Sequence, residues 1–151
     1  MLEGDSVEAD GQFSPDERWV AYSSDESGKN EVYAVPFHVP SHSIGPRRAA
    51  VYDKWRISIS GGHRPRWRKD GRELFYIAAD STLMAVAVAG RGSQFEVGAA
   101  LPLFHTNPSY VSSAFSYDVS ADGNRFIVST AAPEKIAPIT LVENWLSDFK
   151  K

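Results

Sequence analysis

The chain has 151 residues, long enough to bury a real hydrophobic core as one domain. With 42% apolar and 23% charged residues and a net charge of −3, it reads as an ordinary globular domain with no bulk attraction to nucleic acid or membrane. There are no cysteines, which excludes disulfides, zinc–thiolate sites and thiol nucleophiles.

In chain order the pattern is one of short strands punctuated by 11 Gly and 9 Pro. The acidic start, with Glu3 and Asp5, lacks the basic and apolar regions of an export signal. The first unit predicts strands at residues 11–13, 19–22 and 31–35, then an outer strand at 55–60. The second predicts strands at 64–67, 74–78, 83–88 and 95–103. The third predicts 117–119, 126–128 and 139–142, with a short helix at 143–151 whose Lys150 and Lys151 suit a helix C-terminus. No apolar run approaches the roughly 20 residues that span a bilayer, so no membrane insertion is expected.

The three units are repeats. Phe13 to Tyr22, Trp67 to Tyr76 and Val119 to Val128 superimpose when aligned on Asp16, Asp70 and Asp122, which lie 54 and 52 residues apart. A large apolar residue (Phe13, Trp67, Val119) ends one strand. Asp then bonds its own backbone in a tight turn, and Gly71 and Gly123 tolerate positive φ. An apolar run follows, as suits a central strand covered on both faces. The fixed place of Asp16, Asp70 and Asp122 in each unit marks them as turn residues rather than catalytic carboxylates. The fold class is therefore all-β: three four-stranded antiparallel propeller-type blades at about 11–60, 64–103 and 117–145, the last lacking a strand, in one repeat domain over 1–151 with a short tail at 146–151.

Nine of the sixteen Lys and Arg crowd between Arg47 and Arg72, with only Asp53 and Asp70 among them. On a regular strand Arg64, Arg66 and Arg68 share one face, and Trp55, His63 and Trp67 are interleaved. Trp55, Arg56, His63, Arg64, Arg66 and Arg68 are thus the candidate ligand-binding residues, suited to an anionic group. The competing reading packs Trp67 between blades and pairs the arginines with carboxylates. The acidic balance of the whole chain disfavours nucleic acid.

His38 and His42 have the i,i+4 spacing of helical metal sites, but Pro36 and Pro40 argue for a loop, so no metal is assigned. His105 stands alone. Ser6, Ser58 and Ser60 lie in no Gly-x-Ser-x-Gly elbow, and no complete hydrolase motif is present. Of the aromatics Tyr22, Tyr33, Tyr76, Tyr110, Phe115 and Tyr117, most read as core, and those within 106–116 as candidates to line an open channel end. No cofactor is implied.

Phe13-Ser14-Pro15-Asp16 and the stretch from Arg64 to Gly71 resemble the repeats of TolB-type six-bladed β-propellers. The second and third units, with the ending Pro138 to Trp145, resemble the C-terminal half of the propeller fused to bacterial serine/threonine kinases. No kinase motif is present. The resemblance implies half of a six-bladed ring, a periplasmic or extracellular setting, and protein or peptide recognition, as family members bind partners over the channel mouth. The role is then a non-catalytic sensor or interaction module. The alternatives are an esterase-like hydrolase on a propeller scaffold and an incomplete fragment of a kinase-linked sensor.

Three blades leave two apolar faces open. A homodimer closing the ring, with residues 6–10 completing a neighbour's last blade, is one resolution. A separate chain supplying the missing blades, or collapse into a compact sandwich or barrel, are the others.

Overall fold

In the computed structural model, residues 6–37, 53–92, 94–106 and 117–129 are described in full, and Ile139–Glu143 by their backbone. Eleven strands are formed and no helix among these residues. The first sheet has the order β1-β2-β3-β4, from Glu8–Phe13, Trp19–Ser24, Glu31–Pro36 and Trp55–Arg56. The second repeats it as β5-β6-β7-β8, from Gly62–Trp67, Glu73–Ala78, Thr82–Arg91 and Gln94–His105. The third holds β9 (Tyr117–Val119), β10 (Arg125–Ser129) and β11 (Ile139–Glu143) in the order β11-β10-β9. Neighbouring strands are antiparallel throughout.

The three turns at Asp16, Asp70 and Asp122 have one construction. The backbone N–H groups of Arg18, Arg72 and Asn124 each donate to the turn aspartate, at 3.2, 3.0 and 3.1 Å. Those of Ser14, Arg68 and Ser120 close the hairpin onto Trp19, Glu73 and Arg125 carbonyls at 2.8–2.9 Å. Gly71 and Gly123 take φ of 70° and 76°, and Glu17 takes 58° at the same place in the first turn. Arg68 forks onto Asp70 and, with its Nη1, onto Glu73; its hydrogen bond is the main reason the Asp70 carboxyl is held at about 2.

The second sheet uses opposite faces against its two neighbours. Trp19, Ala21, Val32 and Ala34 of the first sheet pack on Leu74, Tyr76, Val86 and Val88 of the second. The other face of the second, with Phe75, Ile77, Leu83 and Ala85, packs on Tyr117, Phe126 and Val128 of the third. Both seams are anchored by aromatic rings: Trp19 tilts over Phe95 at 4.7 Å, and Phe75 meets Phe126 edge-on at 5.0 Å. Such pairs add roughly 0.5–1.5 kcal/mol beyond area burial.

Four sequence expectations change. Residues 8–10, assigned to a neighbour's blade, open β1 of the chain's own first sheet, where Glu8 and Ala9 pair with Ser24 and Ser23. The outer strand placed at 55–60 pairs only over Trp55–Arg56, because Ile57 and Ser58 turn inward to bond Val32. The strand placed at 95–103 runs longer, Gln94–His105. Glu143, placed at the start of a helix, ends β11, and residues 144–151 lie outside the described residues, as do His38, His42 and 107–116.

Gly90 shows how tightly the first seam is closed. A Cβ there would stand 2.2 Å from Trp19 Nε1, on a rigid indole that is 3% exposed. Gly90→Ala is expected to lower stability by about 1–3 kcal/mol. Gly11→Ala, with nothing within 4 Å of its Cβ, should stay within about 0.5 kcal/mol of the parent. Thermal unfolding followed by circular dichroism compares the two.

Candidate functional site

The innermost strands β1 and β5 carry the same irregularity. Their pairing slips between Ala9 and Gln12 and between His63 and Arg66. Inside each slip a non-glycine residue adopts positive φ, Asp10 at 58° and Arg64 at 57°. A β-bulge of this kind re-aims side chains, and left-handed non-glycine backbone persists only where the surroundings hold it.

The surroundings here are hydrogen bonds between blades. Asp10 Oδ2 accepts from Arg64 N at 3.2 Å and from Ser23 Oγ at 3.3 Å, and Ser23 Oγ also accepts from Arg64 N at 3.1 Å. The Tyr117 hydroxyl of the third blade donates to the Arg64 carbonyl at 2.8 Å. One bulge is thus tied to the blade before and the blade after. Burial pushes the Tyr117 phenol well above its ordinary range, so it stays a donor at any physiological pH.

His63, Arg64 and Arg66 gather at this rim. Burial, followed by the Arg64 charge, pushes the half-buried His63 below its ordinary value, while Asp10 opposes the shift. Arg66 is 8% exposed; its Nη1 donates to the Pro65 carbonyl at 2.8 Å and its guanidinium lies 5.8 Å from the Tyr117 ring centre.

The remaining candidates lie elsewhere. The bulge breaks the simple alternation that places Arg64, Arg66 and Arg68 on one face. Arg68 lies past the end of β5, engaged with Asp70 and Glu73. Trp55 and Trp67 pack against the core between the first two blades, and Trp67 Nε1 donates across the seam to the Gln12 carbonyl at 3.3 Å. Arg56 is exposed on β4, and His105 is exposed at the end of β8. Asp10 and Ser23 were not singled out in the sequence, although Asp10-Gly11 carries a signal: a glycine inside a strand marks a bulge, and aspartate tolerates positive φ.

The serines have structural work. Ser58 is fully buried; its hydroxyl donates to Glu31 Oε2 and accepts from Val32 N at 2.8 Å. Gly61 N reaches the same Glu31 oxygen at 3.1 Å, and the Lys29 ammonium stands 3.4 Å from the other. Ser6 donates to Glu8, and Ser60 is exposed. Among the described residues no group of three or more His, Asp or Glu is placed to hold a metal, and no helix is long and apolar enough to cross a membrane.

No family model matches the sequence, and no curated protein matches it. Sixteen solved chains match its structure. One is TolB from Acinetobacter baumannii, similar with a TM-score of 0.58 at 15% sequence identity over 93% of this chain. The fold is that of a TolB-like β-propeller. The chain spans 30% of that TolB chain's length. The sheets stand as successive propeller blades, so the compact sandwich or barrel is not adopted.

The lowered His63 value fixes a sign. A histidine held neutral in the fold binds fewer protons than in the unfolded chain, so stability falls as pH drops through the unfolded value of 6.5. Urea midpoints measured from pH 7.5 to 5 should decline for the parent and flatten for His63→Gln. Asp16, Asp70 and Asp122 add a separate loss below about pH 4 that both proteins share.

Proposed function

We propose that the chain is a non-catalytic propeller scaffold that recognises a protein or peptide at the bulged inner rim, within a ring completed by further blades. The observation that supports it is the matched pair of left-handed residues, Asp10 and Arg64, at the same place in successive blades. Strained non-glycine backbone is retained where it positions side chains for use. At Arg64 it is fixed by groups of the first and third blades, so this part of the rim is ordered before anything binds. Pre-ordering of this kind lowers the entropic cost of association.

A ligand with an acidic or C-terminal carboxylate group suits the Arg64 guanidinium of this rim, whereas Arg66 is buried and His63 is held neutral. Arg56, on the outermost strand of its sheet, is assigned to the solvent-facing rim rather than to this site. The hydrolase reading has no comparable support, since the buried Ser58 is held between Val32 N and a carboxylate.

Arg64→Gly separates binding from folding, because glycine adopts φ near 57° at little cost. Peptides selected from a random display library on the parent protein should bind Arg64→Gly at least about tenfold more weakly, a loss of about 1.4 kcal/mol. The melting temperature should change by only a few degrees. Equal binding to both proteins by calorimetry overturns the site. In parallel, an ester-hydrolysis assay should show no turnover that Ser58→Ala, Ser6→Ala or Ser60→Ala abolishes.

A further inference from the structure

The corners of the first two blades enclose a cleft of about 670 Å³, within the roughly 300–1,000 Å³ of small-molecule sites. Its walls are the turn residues 14–16 of the first blade, 69–72 of the second and the hairpin residues 88–91, with Trp19, Trp67 and Phe95 between them. It lies at the start of β2. The rim built on Asp10 and Arg64 lies at Ser23, toward the other end of that strand.

Repeat comparison shows why the corner stays open here. Ser14 and Trp19 stand two residues before and three after the turn aspartate, the places of Arg68 and Glu73 in the second blade. There Arg68 fills the corner: it bonds Asp70 and Glu73, and its Cδ lies 2.6 Å from where a Cβ on Gly123 would stand. In the first seam the small Ser14 takes the place of that guanidinium, and Pro15 stays 3.7 Å from a Cβ on Gly71.

The polar groups of the cleft divide by what they already bond. Ser14 donates to Asp16 and accepts from Trp19 N; Asp16 also accepts from Arg18 N, and Asp70 is clamped by Arg68. Trp67 Nε1 donates to the Gln12 carbonyl. Trp19 differs. It is 3% exposed, yet its indole N–H has no acceptor among the described residues. Nor is that nitrogen sealed in, since the fully buried side-chain atom left without a hydrogen bond among the described residues is Glu31 Oε1. It stands beside Gly90, where a Cβ would come within 2.2 Å, so glycine leaves the donor uncovered. A polar group in so buried a ring calls for a partner. Lys69, Arg72 and Arg91, which line the same cleft, are exposed and enter no salt bridge among the described residues. The uncommitted side-chain groups of the cleft are thus all donors, and three of them carry positive charge.

We propose that this cleft binds a small organic anion, its carboxylate or phosphate oxygens held by Lys69, Arg72 and Arg91 and one acceptor taking the Trp19 indole N–H. The partly buried Trp67, with Pro15, gives the organic body an apolar wall. Arginine forks suit either oxyanion. Such a ligand satisfies the donors together and offsets a local excess of positive charge in a chain whose net charge is −3. The site is built from two adjoining blades within the chain and is independent of the rim.

Nitrogen-15 labelling gives each of the four tryptophans one indole N–H signal, and Trp19→Phe assigns that of Trp19. Phenyl phosphate and benzoate, added at constant ionic strength, should each shift this signal saturably, and the tighter of the two names the oxyanion. Benzyl alcohol, with the ring and no charge, should leave it in place. Arg72→Gln/Arg91→Gln, at exposed positions, should keep its circular dichroism spectrum and bind at least about tenfold more weakly. Arg64→Gly should bind as the parent does, which separates this site from the rim. The proposal is overturned by a Trp19 signal that neither anion moves, or by an equal response to benzyl alcohol or sodium chloride. Unchanged binding in the double variant, or lost binding in a folded Arg64→Gly, overturns it as well.

Discussion

Apolar side chains on both faces of a sheet need a covering layer on each side, and for the second sheet its two neighbouring sheets supply both. Trp19 and Ala21 leave one face of the first sheet, Leu74 and Tyr76 enter from the second, and Phe75 and Ile77 leave again toward the third. Because side chains alternate along a strand, one six-residue strand such as β6 serves both seams. Burying a side chain of this size is worth about 1.5–3 kcal/mol, and the near-absence of exposure at Leu74, Phe75 and Ile77 shows both faces fully used. Tight closure in turn dictates where glycine must stand. Gly90 lies under the Trp19 indole of the neighbouring blade.

The same constraint shapes the polar features. Where strands converge innermost, β1 and β5 each shed one residue from the ladder, and at the half-buried Arg64 the freed backbone N–H and C=O need partners. Asp10, Ser23 and Tyr117 supply them from the adjoining blades. The rim is therefore a by-product of blade packing before it is a site, and its rigidity comes from the packing. Glu31 illustrates the other solution. A fully buried carboxylate at the start of β3 is held by Ser58, Gly61 and Lys29, tying the return of the outer strand to the sheet.

The corners were legible in the sequence because their chemistry is local: Asp with a following Gly, then an apolar run, writes the turn and the central strand within eight residues. The irregularities were not legible, because they are settled across blades. Asp10-Gly11 suits a bulge and an ordinary turn equally, and the run from His63 to Arg68 reads as plain alternation until the Asp10 carboxylate and the Tyr117 hydroxyl fix Arg64 in a left-handed turn. Trp55 and Arg68 drew notice as members of a basic-aromatic cluster, yet one is packed into the core between two blades and the other clamps a turn. Charge clustering in the sequence had merged three separate structural roles.

Ile127 stands on the face of the third sheet turned away from the second. Its neighbours Phe126 and Val128 are 0% and 2% exposed, so β10 is as well packed on its inner face as β6. Only the outward residue stands open, in the position that Phe75 fills one blade earlier. At the far end the same imbalance falls on Phe13 and Phe37, while Tyr22 and Tyr33 beside them are shielded. Among the described residues, three of the seven large exposed apolar side chains, Phe13, Phe37 and Ile127, stand at repeat positions whose counterparts pack between blades; the other four, Val7, Ile59, Val97 and Leu101, are scattered as on any protein surface.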